Sequence, residues 1–261
     1  MWRPDRRQRI RALLGTLGRV SIEQVATELE VSRETVRRDF MEMEADGELR
    51  RIRGGAVPRS EPAEAPYAER AGVRLREKRA IAGAAAGLVE PGQVLFLDAG
   101  STTATLAKAL ALLGGLTVVT NSVDVATQIA APLSAGQRRN RAILLGGRFG
   151  TAPPASFGAS TVNDIARYAA DIAFVSPFGL DAQAGATSYD PDEAEVARAM
   201  LAHAGQRVLL VDHSKLGVVS RVSFGAAETF DRIVLDPRAE GSDALARLRA
   251  VNPRILIATR G

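Results

Sequence analysis

The sequence predicts an α/β protein, with an N-terminal winged helix-turn-helix followed by a larger C-terminal α/β domain whose sheet is largely parallel. Three observations carry that prediction. Apolar residues recur at helical spacing in three successive segments before Gly47, and a short basic run ending in two glycines follows. The stretch from Val57 to Ala68 then holds three prolines and little apolar content, as a linker would. Beyond it, short β-rich runs alternate with helical ones, the pattern of parallel-sheet units.

In the first region, Ile10, Leu13, Leu14 and Leu17 place a helix over residues 6–17 that Gly18 closes. Ser21 and Gln24 have capping-box spacing and open a second helix with Ile22, Val25, Ala26 and Leu29 facing inward. Ser32 caps a third helix after a turn short enough to require a tight helix-turn-helix. There Val36, Phe40 and Met43 anchor one face, which leaves Arg33, Thr35, Arg37 and Arg38 on or beside the opposite one. Glu34 and Asp39 dilute that charge. Residues 48–55 read as a basic hairpin, the wing, which adds Arg51 and Arg53. Arginine forks onto guanine O6 and N7 or neutralises a phosphate, and serine and threonine hydroxyls do either more weakly. The candidate contacts to double-stranded DNA are therefore Ser32, Arg33, Thr35, Arg37, Arg38, Arg51 and Arg53. A charged helix on a small protein-binding bundle would show the same periodicity.

In the larger region, β-rich runs fall at residues 94–98, 117–120, 142–145, 172–175, 208–211 and 233–235. Helical runs fall at 102–113, 123–131, 159–168 and 192–204, and the alanines of 80–87 suit a buried helix. Polar residues gather where the strands end. Asp98 leads into Gly100-Ser101-Thr102-Thr103 and a helix, Thr120 into Asn121, and a third strand into Gly146-Gly147. Gly179 and Lys215 follow later runs. Open α/β sheets bind ligands at such ends, and a helix start favours an anion. Gly-Ser-Thr loops also serve as plain turns and caps. His213 has no histidine or cysteine near it and reads as a structural hydrogen-bonding residue.

Composition excludes several classes. The chain has no cysteine and two histidines, so a disulfide frame, a thiolate nucleophile and a thiolate metal site are ruled out, and neither a metal nor a cofactor is expected. A net charge of +4 permits an acidic partner, but only three of the 34 basic residues are lysine, and an arginine bias can reflect coding preference. The first eleven residues carry five arginines and no apolar stretch, and later apolar runs are too short to span a membrane. A cytoplasmic location is expected.

Residues 31–40, Val-Ser-Arg-Glu-Thr-Val-Arg-Arg-Asp-Phe, followed by Arg53-Gly54-Gly55-Ala56, resemble the signature of DeoR-family regulators, with Phe40 where the family usually has leucine. The polar blocks after Asp98 resemble, in the same order, that family's effector domain, which is similar in fold to ribose-5-phosphate isomerase and the CoA-transferases. The resemblance covers about residues 5–236. It implies a transcriptional repressor of a carbohydrate operon that is released by a phosphorylated sugar or related metabolite. It also implies a homo-oligomer, dimer or tetramer, and binding roles for Asp98, Gly100, Ser101, Thr102, Thr103, Thr120, Asn121, Gly146, Gly147, Gly179 and Lys215. The expected domains are residues 1–57, a linker over 58–74, and 75–261. Two features depart from the family: Ala197 stands where many members have lysine, and Ser176-Pro177-Phe178 precedes Gly179. An isomerase-like enzyme using Asp98, Asp181 or Glu193 as base is the competing reading.

Overall fold

The computed structural model describes residues 3–17, 20–52, 54–58, 67–131 and 139–259. The chain divides into two units, Met1–Ala65 and Pro66–Gly261.

The first unit runs α1 (Arg3–Leu17), β1 (Val20–Ser21), α2 (Ile22–Glu28), α3 (Arg33–Ala45), β2 (Leu49–Ile52) and β3 (Gly55–Pro58). The three strands form an antiparallel sheet in the order β1-β3-β2. Ser21 and Ser32 accept the backbone N–H groups of Gln24 and Thr35 and start α2 and α3. Ile10, Leu14, Val25, Val36, Phe40, Met43 and Leu49 fill one core. Both glycines of the wing have a steric reason. Gly54 takes φ +80°, and a Cβ at Gly55 would collide with the Val20 carbonyl across the β1–β3 pair. Arg53 lies outside the described residues.

Charge sorts itself within this unit. Asp39 does not dilute the exposed face of α3: it is buried and receives two hydrogen bonds from Arg6, the one from Nη2 at 2.8 Å. Arg7 pairs with Glu42 at 2.8 Å and Asp46 at 2.7 Å, and Arg11 with Glu48 at 2.9 Å. The basic run of α1 therefore clamps α1 to α3 and the base of the wing.

The second unit opens with α4 (Tyr67–Gly72), within the stretch read as linker, and α5 (Leu75–Ala86). It continues β4 (Val94–Leu97), α6 (Ser101–Leu110), β5 (Thr117–Thr120), α7 (Val123–Ile129), β6 (Arg141–Leu144), β7 (Arg148–Thr151), β8 (Pro154–Phe157), α8 (Ala159–Ile165) and β9 (Ala170–Val175). Then come β10 (Gly179–Asp181), β11 (Gly185–Ser188), α9 (Pro191–Ala202), β12 (Ala204–Val211), β13 (Val222–Gly225), β14 (Arg232–Leu235), α10 (Asp243–Val251) and β15 (Ile255–Ile257). Seven strands make a parallel sheet in the order β15-β14-β12-β9-β4-β5-β6. Strand residues alternate between two cores. Phe96, Val119, Ala173, Leu209 and Ile233 pack with α8, α9 and α10, while Leu95, Val118, Ile172, Leu210 and Val234 pack with α5, α6 and α7. Both faces are covered, so the strands read as continuous apolar runs.

The order fixes where a ligand can enter. From β4 the chain moves outward through β5 to β6, then returns to the other side of β4 as β9. α6, which follows β4, packs on one face of the sheet and α9, which follows β9, on the other, so the carboxyl ends of these two strands are the crevice position of open α/β sheets.

Replacing Asp39 with alanine is expected to remove both hydrogen bonds that Arg6 donates to α3 and to destabilise the first unit by about 1.5–3 kcal/mol. Arg38→Ala, on an exposed face, is expected to stay within about 0.5 kcal/mol. Amide exchange in α3 measures both, and wild-type protection in the Asp39→Ala chain would contradict the clamp.

Candidate functional site

On the first unit, α3 presents Arg33, Arg37 and Arg38 to solvent. Arg33 sits 2.6 Å from Glu23 and Arg37 3.3 Å from Glu34, exposed pairs that cost little to exchange for phosphate. Arg38 makes no ion pair among the described residues. The Ser32 and Thr35 hydroxyls are bonded to each other at 2.8 Å as part of the cap, so their first role is structural. Arg51 donates its backbone N–H and its guanidinium to Glu44 at 2.8 and 2.6 Å, binding the wing to the end of α3. Those bonds hold the Glu44 carboxyl below its ordinary range, the backbone one most strongly. Arg50 is exposed on the strand face opposite Leu49 and was passed over in the sequence. Strand alternation around Leu49 is the signal that finds it.

On the second unit, Asp98 directly follows β4 at the crevice. Its Oδ2 accepts the Ser176 N–H at 2.8 Å and so joins the exits of β4 and β9, while Oδ1 is buried without a partner. Burial pushes this carboxyl up to about 6, against the opposing pull of the Ser176 N–H, the Thr103 hydroxyl and Lys215. Gly100 lies close enough that a Cβ would meet Thr103 Oγ1 at 3.0 Å, Asp98 Oδ1 at 3.3 Å and Ser176 Cβ at 3.4 Å. From Ser101, α6 runs away with its positive end at the crevice. Lys215, after β12, donates its ammonium to the Pro177 carbonyl beside Ser176. Thus Asp98, Gly100, Ser101 and Lys215 come together with Ser176 and Pro177.

Asn121 directly follows the neighbouring strand, β5. Its amide donates to the Ser156 carbonyl at 3.0 Å, and its Oδ1 is a second buried oxygen with no partner. Other candidates are spent on the scaffold. The Thr103 hydroxyl donates to the Asp98 or Gly100 carbonyl and accepts the Gly100 N–H, and that of Thr120 donates to Leu97. Thr102 is buried. A Cβ at Gly147 would strike Thr161, and one at Gly179 would strike the Val218 carbonyl, so both glycines serve close packing. The Gly146 carbonyl accepts the Thr161 hydroxyl at 2.8 Å. Asp181 binds the N–H groups of its own turn, and Ala197 packs in the core. His213 places Nδ1 3.1 Å from both oxygens of buried Asp236.

Sequence reasoning missed the contribution of α4 and α5. Tyr67 donates its hydroxyl to Asp124 at 2.7 Å, Arg70 lies over the Tyr67 ring, and Arg74 lies 3.8 Å from Asp212. Burial raises the Tyr67 phenol, and the hydrogen bond to Asp124 adds to this. Burial opposes ionisation of Asp212, but Lys215, Ser214 and Arg74 together hold its carboxyl below the usual range.

Residues 6–61 match the family described as DeoR-like helix-turn-helix domain, and residues 73–237 match the DeoR C terminal sensor domain. The HTH-type transcriptional regulator GlpR of Haloferax volcanii is 34% identical, over 89% of this chain and 89% of its own. The glycerol-3-phosphate regulon repressor of Escherichia coli is 29% identical, over 90% and 92%. Ribose 5-phosphate isomerase A of Methanocaldococcus jannaschii aligns over 53% of this chain and 52% of its own at TM-score 0.36 and 19% identity, too remote to bear on mechanism. The fold and sites define a DNA-binding transcriptional regulator that carries its own sensor domain. The chain belongs to the DeoR family.

The raised Asp98 carboxyl has a measurable consequence. Between pH ~4, where a free aspartate ionises, and pH about 6, the folded chain holds a proton that the unfolded chain has shed. Stability therefore falls as pH rises through that window, and the penalty is absent below it and complete above it. Asp98→Asn removes the penalty. Thermal unfolding should show the variant gaining on wild type as pH rises from 4 to 7, by on the order of 2–3 kcal/mol. A gap independent of pH would contradict this.

Proposed function

We propose that the protein represses a carbohydrate-related operon and leaves its operator when a phosphorylated sugar or polyol occupies the crevice at the ends of β4 and β9. The observation that carries this reading is the buried, unpartnered Asp98 Oδ1 at the start of α6 and within Coulomb range of Lys215, with a second such oxygen, Asn121 Oδ1, after the adjacent strand. Acceptors without donors call for hydroxyl groups, and a helix N-terminus with an ammonium calls for an anion. One small molecule that offers both is a polyol carrying a phosphate. The named relatives agree, since one is a glycerol-3-phosphate regulon repressor.

On the DNA side, α3 enters the major groove with Arg33, Arg37 and Arg38 foremost, and Arg50 and Arg51 approach from the wing. A homo-oligomer places two or more such helices on an operator, and the effector favours a form whose helices no longer match the half-sites. The chemistry needed is recognition, and no bond of the effector is broken.

A thermal-shift screen of phosphorylated sugars and polyols identifies the effector. A ligand at a hundred times its dissociation constant stabilises the folded state by about 2.7 kcal/mol. With that ligand, Lys215→Ala is expected to keep operator binding and lose release, whereas Arg38→Ala weakens operator binding at least tenfold and keeps effector binding. Fluorescence anisotropy of labelled operator reads both. A Lys215→Ala chain that still releases at the wild-type effector concentration would sink this assignment.

A further inference from the structure

The face of α3 turned away from its core is not uniformly basic. Val36, Asp39, Phe40 and Met43 are the buried residues of this helix. At 3.6 residues per turn, Glu34, Arg38 and Met41 each stand about 140–160° round the helix from Val36, so these three form the line that points most directly outward. All three are exposed, Met41 to 55%. Arg33 and Arg37 flank that line on one side, roughly 60° and 100° from Val36. Arg33 meets Glu23 of α2 at 2.6 Å, and Arg37 reaches Glu34 at 3.3 Å.

Glu34 and Met41 have nothing to offer the backbone of a duplex. A carboxylate repels phosphate, and a thioether side chain gives it no hydrogen bond. Base edges are different. A glutamate accepts the N4 amino group of cytosine, and an apolar side chain packs on the methyl group of thymine. Arginine, by contrast, serves a phosphate or a guanine, and the Ser32 and Thr35 hydroxyls are bonded to each other in the cap. Residues 34, 37, 38 and 41 follow the i, i+3, i+4, i+7 spacing with which a recognition helix lays side chains along the major groove. From Glu34 to Met41 is roughly 10 Å along the helix axis, about three base-pair steps of roughly 3.4 Å. Arg37 offsets the charge that Glu34 would otherwise carry unbalanced between two phosphate-lined strands. Glu34 also lies in the first turn of α3, where a carboxylate favours the helix dipole, a role that involves no particular base.

We propose that Glu34 and Met41 set the operator sequence. Glu34 accepts a cytosine amino group, and Met41 packs on a thymine methyl about three base pairs away, while the arginines around them supply most of the affinity. The proposal rests on α3 being the helix that enters the major groove and adds which of its residues discriminate between bases.

Selection from a pool of DNA duplexes with a randomised core, by the full-length chain and its variants, tests this. Glu34→Gln is expected to exchange one selected cytosine for adenine in each half-site, because glutamine pairs with adenine N6 and N7. Glu34→Ala and Met41→Ala are each expected to lose discrimination at one position by about fivefold or more, at positions about three base pairs apart. Both variants alter exposed residues and are expected to keep the unfolding temperature within a few degrees of wild type. Arg38→Ala is the control for the groove and is expected to weaken binding to the selected duplex. A base preference that stays as in wild type, with or without an equal loss of affinity on every sequence, overturns the assignment of the residue replaced, and a loss of binding in Arg38→Ala then leaves α3 as the groove helix. Wild-type binding and preference in Arg38→Ala as well overturns both.

Discussion

The sensor unit depends on the carboxylate of Asp98, buried where the strand order reverses between β4 and β9. A sheet covered on both faces can place polar groups only at the ends of its strands, and the reversal is where two strand ends stand open to each other. Asp98 spans that opening through its bond to the Ser176 N–H and retains one oxygen unsatisfied. Such a group weakens the empty protein, because burial resists its charge and one acceptor lacks a donor. The two cores on either side of the sheet supply the stability against which this defect is tolerated. Sites held in that condition gain from a ligand what they lack alone.

The winged helix divides its charge by a similar logic. Composition shows many arginines and leaves their tasks open. The structure assigns Arg6, Arg7 and Arg11 to acidic partners on α3 and at the wing's base, so that α1 braces α3. The arginines on the outer face of α3 have exposed carboxylates beside them at most, and such pairs yield readily to a phosphate. Rigid backing and an exchangeable outer face are what a recognition helix needs.

Much of the fold was legible because its signals are local. The strands at β4, β5, β9, β12 and β14 and the helices between them follow from apolar runs and capping residues, to within a few residues at the ends. β1, the β7–β8 hairpin, the β10-β11-β13 sheet and β15 are strands of two to four residues whose pairing is decided by tertiary contact, so no periodicity marks them. Asp98 and Lys215 were readable from their place at strand exits. Thr103, Thr120, Gly147 and Gly179 have the same residue types in similar loops, yet the backbone consumes them, and sequence does not separate a hydroxyl that caps from one that faces a ligand. Tyr67, Arg70 and Arg74 were hidden in a stretch whose prolines suggested a linker. Ala197, read in the sequence as a departure from the family's pattern, packs in the core.

The central claim is that occupancy of the crevice and occupancy of DNA oppose each other through one protein. Linkage makes this reciprocal: whatever factor the effector removes from operator affinity, the operator must remove from effector affinity. Titrating the effector into free protein and into protein saturated with operator, at one salt concentration, measures that factor directly. The account predicts weaker effector binding on the operator by at least about fivefold, matching the loss of operator affinity at saturating effector. Equal effector affinity in the two states would contradict it.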